Sequence, residues 1–183
     1  MFEESYVVYD IETSGLSPKR DVITQISALR VVDGRKDDTL FNVFVKSEGV
    51  YISDEVSRLT GITDEVLDQY GISINAAMDQ FRAYIGTNRL IAHNGKRFDS
   101  KFLQQASEFT GISLCNEQED SLQIAKEVLP GLKSYSLGAL VEYFDVYQRE
   151  AHRAQNDVLM LADVVERLFD LRRQRMEKMQ MKF

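Results

Sequence analysis

The sequence predicts an α/β protein in which helices cover a mixed β-sheet. Three runs rich in β-branched and aromatic residues come first, at residues 5–11, 22–32 and 39–46, and they are typical of strands. The rest of the chain is mostly helical in pattern, with one further apolar strand at residues 90–92. This order of elements favours a sheet layered against helices.

The length and composition indicate one folded domain. With 183 residues we expect a single domain over residues 1–183, in which residues 172–183 form a helical tail. A hydrophobic content of 44% and a charged content of 28% allow a sizeable core and exclude disordered and fibrous classes. The formal net charge of −7 rules out nucleic-acid binding through the overall field alone. Phosphate binding would need local basic groups or metal ions.

Turn and capping residues separate the first elements. The first strand breaks at Gly15, which residues 17–18 (SP) follow, and the second ends at residues 33–34 (DG), a hairpin signal. Residues 53–61 (SDEVSRLTG) and 63–71 (TDEVLDQYG) each begin with a Ser or Thr cap and an acidic first turn, and each ends on glycine. Both segments are therefore predicted to be short helices.

The second half of the chain predicts longer helices. They are expected at residues 75–85, 98–109, 121–129 and 136–144 and from 154 toward 180. In the last helix the residues expected to face inward are Val158, Leu161, Val165, Leu168 and Leu171.

The single cysteine and the N-terminal segment bear on the compartment. Cys115 excludes an internal disulfide and a Cys-rich zinc site, and we expect it to be a small buried thiol. Residues 1–5 (MFEES) are acidic where a signal peptide is basic. No apolar run approaches the roughly 18 residues of a membrane span. We therefore expect a cytoplasmic protein without a membrane partner.

Four acids and one histidine stand at predicted strand or helix ends. Asp10 and Glu12 lie two apart at the end of the first strand, so both side chains point to the same face of the sheet. Asp99 and Asp157 lie near the starts of helices, and His152 precedes Asp157 by five residues in a polar stretch. Each position alone also fits a solvated turn former or a partner of the helix dipole. A histidine outside regular structure beside an acid is also a candidate general base.

Three segments resemble the motifs of the DnaQ-like 3′-5′ exonuclease family. They are residues 9–15 (YDIETSG), 93–99 (HNGKRFD) and 152–157 (HRAQND), in the family order and at similar separations. The likeness extends from about residue 5 to about residue 170, and it implies a ribonuclease H-like fold with a mixed central sheet. The histidine five residues before the last aspartate is similar to that of the histidine subclass.

The resemblance also implies a metal-dependent activity. In this family four acids bind two divalent metals, and the matching positions here are Asp10, Glu12, Asp99 and Asp157. Oxygen ligands of this kind select Mg²⁺ or Mn²⁺ over zinc, and His152 would be the general base. The implied function is hydrolysis of nucleotides from single-stranded or mismatched DNA 3′ ends, including proofreading beside a DNA polymerase.

A further resemblance concerns the substrate pocket. Residues 55–63 (EVSRLTGIT) are similar to the segment after the third strand of replicative proofreading exonucleases, in the form seen in Gram-positive-type polymerase III exonuclease domains. The family likeness implies a terminal-nucleotide pocket formed by Thr13, Gly15, Leu16, Glu55 and Thr60. Candidate phosphate contacts are Lys96, Arg97, Lys133, Arg149 and Arg153. We expect structural hydrogen bonds, and not metal ligation, from His93 and Asn94.

Several alternatives remain at this stage. A ribonuclease of the same fold, trimming RNA tails or short oligoribonucleotides, fits the same motifs. A non-catalytic nucleic-acid-binding module would be expected to have lost an acid or the histidine, and none is lost. Rossmann and P-loop proteins are disfavoured because neither glycine-rich phosphate-binding pattern occurs. Residues 172–182 carry a local charge of +4 interleaved with methionines, and this pattern fits a solvated, partly frayed helix end or a segment that docks to nucleic acid or a partner.

Overall fold

The structure is a computed structural model that describes residues 5–147 and 152–181. Within these residues, six strands form one mixed sheet: β1 (Tyr6–Thr13), β2 (Ile23–Val32), β3 (Arg35–Lys36), β4 (Phe41–Phe44), β5 (Arg89–Ala92) and β6 (Gln118–Asp120). The sheet is antiparallel from β1 through β2 to β3 and β4, which both pair with β2. On the other side, β1, β5 and β6 are parallel. The predicted α/β class with a mixed sheet is confirmed.

The helices follow the capping signals of the sequence. In chain order they are α1 (Asp54–Thr60), α2 (Asp64–Tyr70), α3 (Ile74–Ile85), α4 (Asp99–Thr110), α5 (Ser121–Val128), α6 (Leu137–Tyr143) and α7 (Ala154–Gln180). The side chains of Ser53, Thr63 and Ser73 accept N–H groups of the first turns of α1, α2 and α3. Gly61 and Gly111 end α1 and α4 in the left-handed conformation. Each predicted helix is present.

Two short strands differ from the expectation. The sequence predicted three opening strands and one later strand, but the structure adds β3 and β6. The two-residue β3 completes the predicted hairpin, in which Asp33 and Gly34 both have positive φ. The three-residue β6 is too short to show a period and forms because it pairs with β5, with Leu90 opposite Gln118. Long-range pairing, which local pattern does not reveal, creates both strands.

Side chains of β1 alternate between two cores. Val7 and Tyr9 lie with Phe81 of α3 and Phe102 of α4 in the core on one face of the sheet. Tyr6 and Val8 lie on the other face, where the buried side of α7 covers them. A third cluster joins α5 and α6 to α7. The even-numbered positions of β1 therefore face α7, and this parity decides where the acids at the end of the strand point.

The inward face of α7 matches the expectation. The residues that are buried along it include Val158, Leu161, Val165 and Leu168, while Leu171 is half-buried against the cluster with α5 and α6. The helix continues without a break to Gln180.

The first part of the basic tail is anchored. Arg172 pairs with Glu119 at 2.7 Å and with Glu127 at 2.9 Å, and Arg175 donates to the carbonyl of Glu127. The expectation of a frayed end is therefore wrong at Arg172, because two acids hold it against β6 and α5. Met176, farther along, is exposed. Docking of this segment to a partner stays a prediction.

Three further expectations concern the single cysteine, the chain ends and membrane-spanning helices. Cys115 is exposed, so its predicted burial is wrong; it lies in the irregular stretch between α4 and β6. Residues 1–4, Arg149 and Lys182 lie outside the described residues. Among the helices of the described residues, none has both the length and the apolar character needed to cross a bilayer.

Candidate active site

The candidate site lies at the carboxyl end of β1. Asp10 and Glu12 continue the face of Tyr6 and Val8, so their side chains point toward the start of α7. Both carboxyl-bearing residues are partly exposed, unlike the fully buried positions before them. The last residues of this apolar strand thus hold two acids on one face at the edge of the core.

The start of α7 brings a third acid to this edge. Asp157 lies in the first turn of α7, which the apolar side chains of Val158 and Leu161 hold against the sheet. One carboxylate oxygen from each of Asp10, Glu12 and Asp157 lies within 4.8 Å of the other two. The structure therefore brings together three of the four predicted metal ligands.

The fourth predicted ligand, Asp99, approaches from the other layer. It is the first residue of α4 and is 5% exposed. Asp99 is not a member of the 4.8 Å group, but its charge acts on both Asp10 and Glu12. Gly95 allows the preceding loop to come close, because a Cβ there would lie 2.5 Å from the Cβ of Ala92.

The acids at the end of β1 have raised pKa values. At Asp10, burial is the largest cause and the charge of Asp99 is the second. Glu12 and Asp157 act in the same direction, so the pKa of Asp10 lies well above its ordinary value. At Glu12, burial and the charges of Asp157 and Asp99 raise the pKa to about 7, although Arg153 opposes the shift.

The two acids on the helices show the same effect. Burial raises the pKa of Asp99 to about 7, while hydrogen bonds from its own backbone N–H and that of Ile11 oppose the rise. Burial also raises the pKa of Asp157, against the positive charge of His152 and nearby backbone N–H groups. Burial and mutual repulsion therefore make full ionisation of the cluster unfavourable without a counterion.

This set of donors fits a divalent cation. All the converging atoms are carboxylate oxygens, which hard cations prefer. A cation among them would remove the repulsion that raises their pKa values and would favour the ionised acids. The residues that could hold it are Asp10, Glu12 and Asp157, with Asp99 beside them.

His152 lies directly before α7. Its backbone has a φ of 57°, in the left-handed region that few residues other than glycine adopt. The side chain is exposed, and its charge stabilises the ionised form of Asp157. The next residue, Arg153, donates its backbone N–H to Asp157 at 3.2 Å. The loop thus brings an accessible imidazole next to the acidic group.

Three of the predicted pocket residues lie in the turn after β1. Thr13 is buried, and its hydroxyl donates to the carbonyl of Gly15 at 2.6 Å. A Cβ on Gly15 would lie 2.6 Å from the carboxyl carbon of Asp21, so a larger residue would displace the carboxylate that accepts the N–H of Ser17 at 2.7 Å. Leu16, in contrast, is 84% exposed. Leu16 is therefore accessible to a ligand, while Thr13 and Gly15 stabilise the shape of the turn. Contact of these three residues with a nucleotide stays a prediction.

The other two pocket predictions lie on α1. Glu55 is exposed in the first turn. Thr60 is buried at the last turn, where its hydroxyl donates to the carbonyl of Val56 at 2.9 Å and accepts the N–H of Ile62 at 3.1 Å. The Thr60 hydroxyl therefore stabilises the end of α1, and a role of either residue at the substrate stays a prediction.

The candidate phosphate contacts differ in their surroundings. Lys96, Arg97 and Lys133 are exposed. Arg153 is instead packed against the end of α1, where Nη1 donates to the carbonyl of Leu59 at 3.2 Å. Phosphate contact stays a prediction for all four of these cations.

Asp120 is a residue of the site that the sequence reasoning missed. Its carboxylate is 3% exposed and accepts the N–H groups of Asn94 at 2.9 Å and of Leu122 at 3.0 Å. It thereby joins the start of α5 to the loop that precedes Asp99, and Asn94 in that loop has a φ of 59°. The available signal was an aspartate directly before a predicted helix, which is typical of an N-cap.

The expected structural role of His93 is confirmed. Its Nδ1 lies 2.9 Å from the hydroxyl of Ser121, and that hydroxyl donates to the carbonyl of Ala92 at 3.3 Å. Asn94 contributes through its backbone N–H to Asp120. These bonds fix the loop between β5 and α4.

Comparisons with known proteins agree with this arrangement. A family model described as exonuclease (RNase_T) matches residues 7–165. The PolC-type DNA polymerase III of Clostridium perfringens is 30% identical over 176 residues, which is 96% of this chain and 12% of that protein. The Bacillus subtilis protein of the same name is 34% identical over 157 residues, 85% of this chain and 11% of the relative. The chain thus spans about an eighth of the length of these relatives.

Solved structures show the same fold. Escherichia coli exonuclease I, in complex with a dA16 oligonucleotide, superimposes with a TM-score of 0.78 at 20% identity. The matched region covers 91% of this chain and 42% of the exonuclease I chain. Exonuclease X, in complex with 5′ overhanging duplex DNA, gives a TM-score of 0.74 at 22% identity, over 90% of this chain and 91% of that one. The predicted ribonuclease H-like fold class is confirmed.

Proposed function

The chain belongs to the exonuclease family, and from this membership we propose that it removes nucleotides from the 3′ end of single-stranded or mismatched DNA. The observation that carries the proposal is the carboxylate group of Asp10, Glu12 and Asp157, with oxygens within 4.8 Å, beside an exposed His152. Carboxylates in this arrangement bind cations, and bound cations allow an acidic protein to bind a phosphodiester. The reaction is hydrolysis of the bond between phosphorus and the 3′ oxygen.

The proposed cofactors are two Mg²⁺ or Mn²⁺ ions. Asp10, Glu12, Asp99 and Asp157 would hold them, and their oxygen donors disfavour zinc. When bound, such ions activate the attacking water and stabilise the departing 3′ oxygen. The raised pKa values of these acids support this assignment, because the folded chain keeps them together at an electrostatic cost that cations remove.

His152 would be the general base. It takes a proton from the water as the water oxygen bonds to phosphorus and the P–O3′ bond breaks. The products are a nucleoside 5′-monophosphate and a shortened strand, whose 3′ oxygen takes a proton from solvent. The exposed imidazole can then return its proton to bulk water. Asp157 orients this loop by accepting the backbone N–H of Arg153.

We also propose that the substrate is DNA and that the partner is a DNA polymerase. Both relatives described above are named as DNA polymerases III, and the similarity covers most of this chain. We therefore favour DNA over RNA as the substrate and a replicative polymerase as the partner. Leu16, exposed in the turn after β1, and Glu55 on α1 are the side chains proposed to contact the terminal nucleotide.

The decisive experiment uses purified protein with end-labelled single-stranded DNA, matched and mismatched duplex, and RNA. With Mg²⁺ or Mn²⁺ we expect stepwise shortening from the 3′ end, faster on single-stranded and mismatched DNA than on matched duplex. A Glu12→Gln preparation made in parallel excludes a contaminating nuclease. Faster release from RNA would replace the proposal with an exoribonuclease. Binding without release in every metal would replace it with a non-catalytic module.

A further inference from the structure

The end of α1 is tied to the start of α7 by one arginine side chain. The Nη1 of Arg153 donates to the carbonyl of Leu59 and to that of His152, each at 3.2 Å. The last carbonyls of a helix have no partner within the helix, so a cation there both satisfies them and complements the dipole. The same guanidinium acts electrostatically on Glu12 in the acidic group. Arg153 therefore links three parts of the site.

The contact is close because of a glycine. Gly61 ends α1 with a φ of 71°, and a Cβ there would lie 2.6 Å from both Cζ and Nη2 of Arg153. The planar guanidinium is thus seated on the bare backbone of Gly61. A lysine has no planar group of this kind and could not reproduce the contact.

The rest of α1 has a small core of its own. Ile52, Ile62 and Leu67 form a separate buried cluster under α1 and α2, with Phe44 and Val56 packed against it. Among the described residues, the main cores on the two faces of the sheet contain none from α1. The bond from Arg153 to Leu59 is therefore, beside the contact of this small core with Phe44 of β4, a direct link between α1 and the acid-bearing start of α7.

We propose that Arg153 is a positioning residue: it fixes the last turn of α1, and with it the pocket for the terminal nucleotide, against the start of α7. This rests on the proposed function, because Glu55 and Thr60 of α1 are the residues expected at that pocket. It differs from the expectation that Arg153 contacts phosphate directly, since here the guanidinium acts through α1.

The test compares Arg153→Ala, Arg153→Lys and Gly61→Ala. A methyl group on Gly61 displaces the guanidinium, so all three variants should raise KM for single-stranded DNA by about tenfold while kcat changes little. Gly111→Ala is the matched control, because Gly111 also ends a helix at a φ of 71° but has no neighbour within 4 Å of a Cβ. It should leave KM unchanged. Gly61→Ala combined with Arg153→Ala should raise KM no further than either change alone.

Two further measurements separate the alternatives. If Arg153 instead contacts phosphate, its loss lowers the slope of log KM against log salt by about 1, whereas a positioning role leaves that slope unchanged; a lowered slope would overturn the proposal. Amide hydrogen exchange without DNA tests the tie independently of activity. The amide of Gly61, which bonds the carbonyl of Ser57, should exchange faster in Arg153→Ala than in the wild type. Unchanged exchange would also refute the positioning role of Arg153. If the Gly61 amide exchanges faster in Arg153→Ala but the wild type cleaves no nucleic acid, only the nuclease function is refuted.

Discussion

In metal-free buffer, replacing Glu12 with glutamine should stabilise the protein at pH 8 and not at pH 5. Glutamine keeps the shape of the protonated acid and removes a charge that the fold accommodates poorly. Burial and the neighbouring carboxylates raise the pKa of Glu12 from 4.5 to about 7 in the folded protein. The contribution of the protonated side chain to stability is therefore fully present below pH 4.5 and is lost as the pH rises through 7.

The size of the effect follows from this shift. Each pKa unit corresponds to about 1.4 kcal/mol, so ionised Glu12 lowers the free energy of unfolding by at most about 3 kcal/mol at pH 8. Because the side chain is partly exposed, solvent screening reduces this to about 2 kcal/mol. For a chain of this length, that difference raises the Tm by roughly 4–8 °C.

Thermal unfolding in EDTA at pH 5 and pH 8 measures the effect. Glu65→Gln is the matched control, since Glu65 is exposed and a hydrogen bond with Thr63 lowers its pKa. The Glu65 substitution should not raise the Tm at either pH. A lower Tm for Glu12→Gln at pH 8, or an equal rise at both pH values, would refute the electrostatic reasoning and make Glu12 a structural acid.

Four other predictions concern the site. Activity should disappear in EDTA and return with Mg²⁺ or Mn²⁺ but not with Ca²⁺, whose looser coordination positions water poorly; full turnover in chelator would contradict a metal mechanism. Asp10→Ala or Asp157→Ala should abolish turnover while the metal-free Tm holds or rises, and a fall of many degrees in melting experiments would show that these acids are structural. His152→Ala should lower kcat by about 10² to 10⁴ with little change in single-strand binding, and near-full activity would exclude His152 as the base. Asp120→Ala should lower the free energy of unfolding by about 1–3 kcal/mol, because the N–H groups of Asn94 and Leu122 both bond Oδ1 of Asp120 and would lose that acceptor; denaturant titration measures this, and an unchanged midpoint would show that these two bonds contribute nothing.

Local pattern was sufficient for the parts of the site that lie on regular elements. Two-residue spacing placed Asp10 and Glu12 on one face of a strand, and the apolar periodicity of the two helices placed Asp99 and Asp157 near helix starts. The family resemblance supplied the statement that these four acids act together. The geometry of the acidic group then depends on how β1 and α7 pack, which spacing alone does not give.

What the sequence did not predict depends on contacts between distant segments. Asp120 acts on the loop at Asn94, which is 26 residues away, and its strand β6 forms only beside β5. Arg153 and Leu59 are 94 positions apart, so nothing near either residue indicates that they meet. Cys115 is exposed although free cysteines are usually buried, because exposure alternates along residues 111–117 and Cys115 lies on the solvent side, while Ile112 and Leu114 pack against the core.

The alternation along β1 limits how the strand can change in length. One residue inserted or deleted between Val8 and Asp10 would turn both acids away from α7 and into the apolar core beside α3 and α4. Because β1 is buried on both faces, its apolar residues would fit either orientation, and the opposition to such a slip comes from the charged end of the strand. Insertions of an even number of residues, or insertions in the turn after Thr13, preserve the orientation. The active site is thus encoded partly as an odd-or-even count along a single strand.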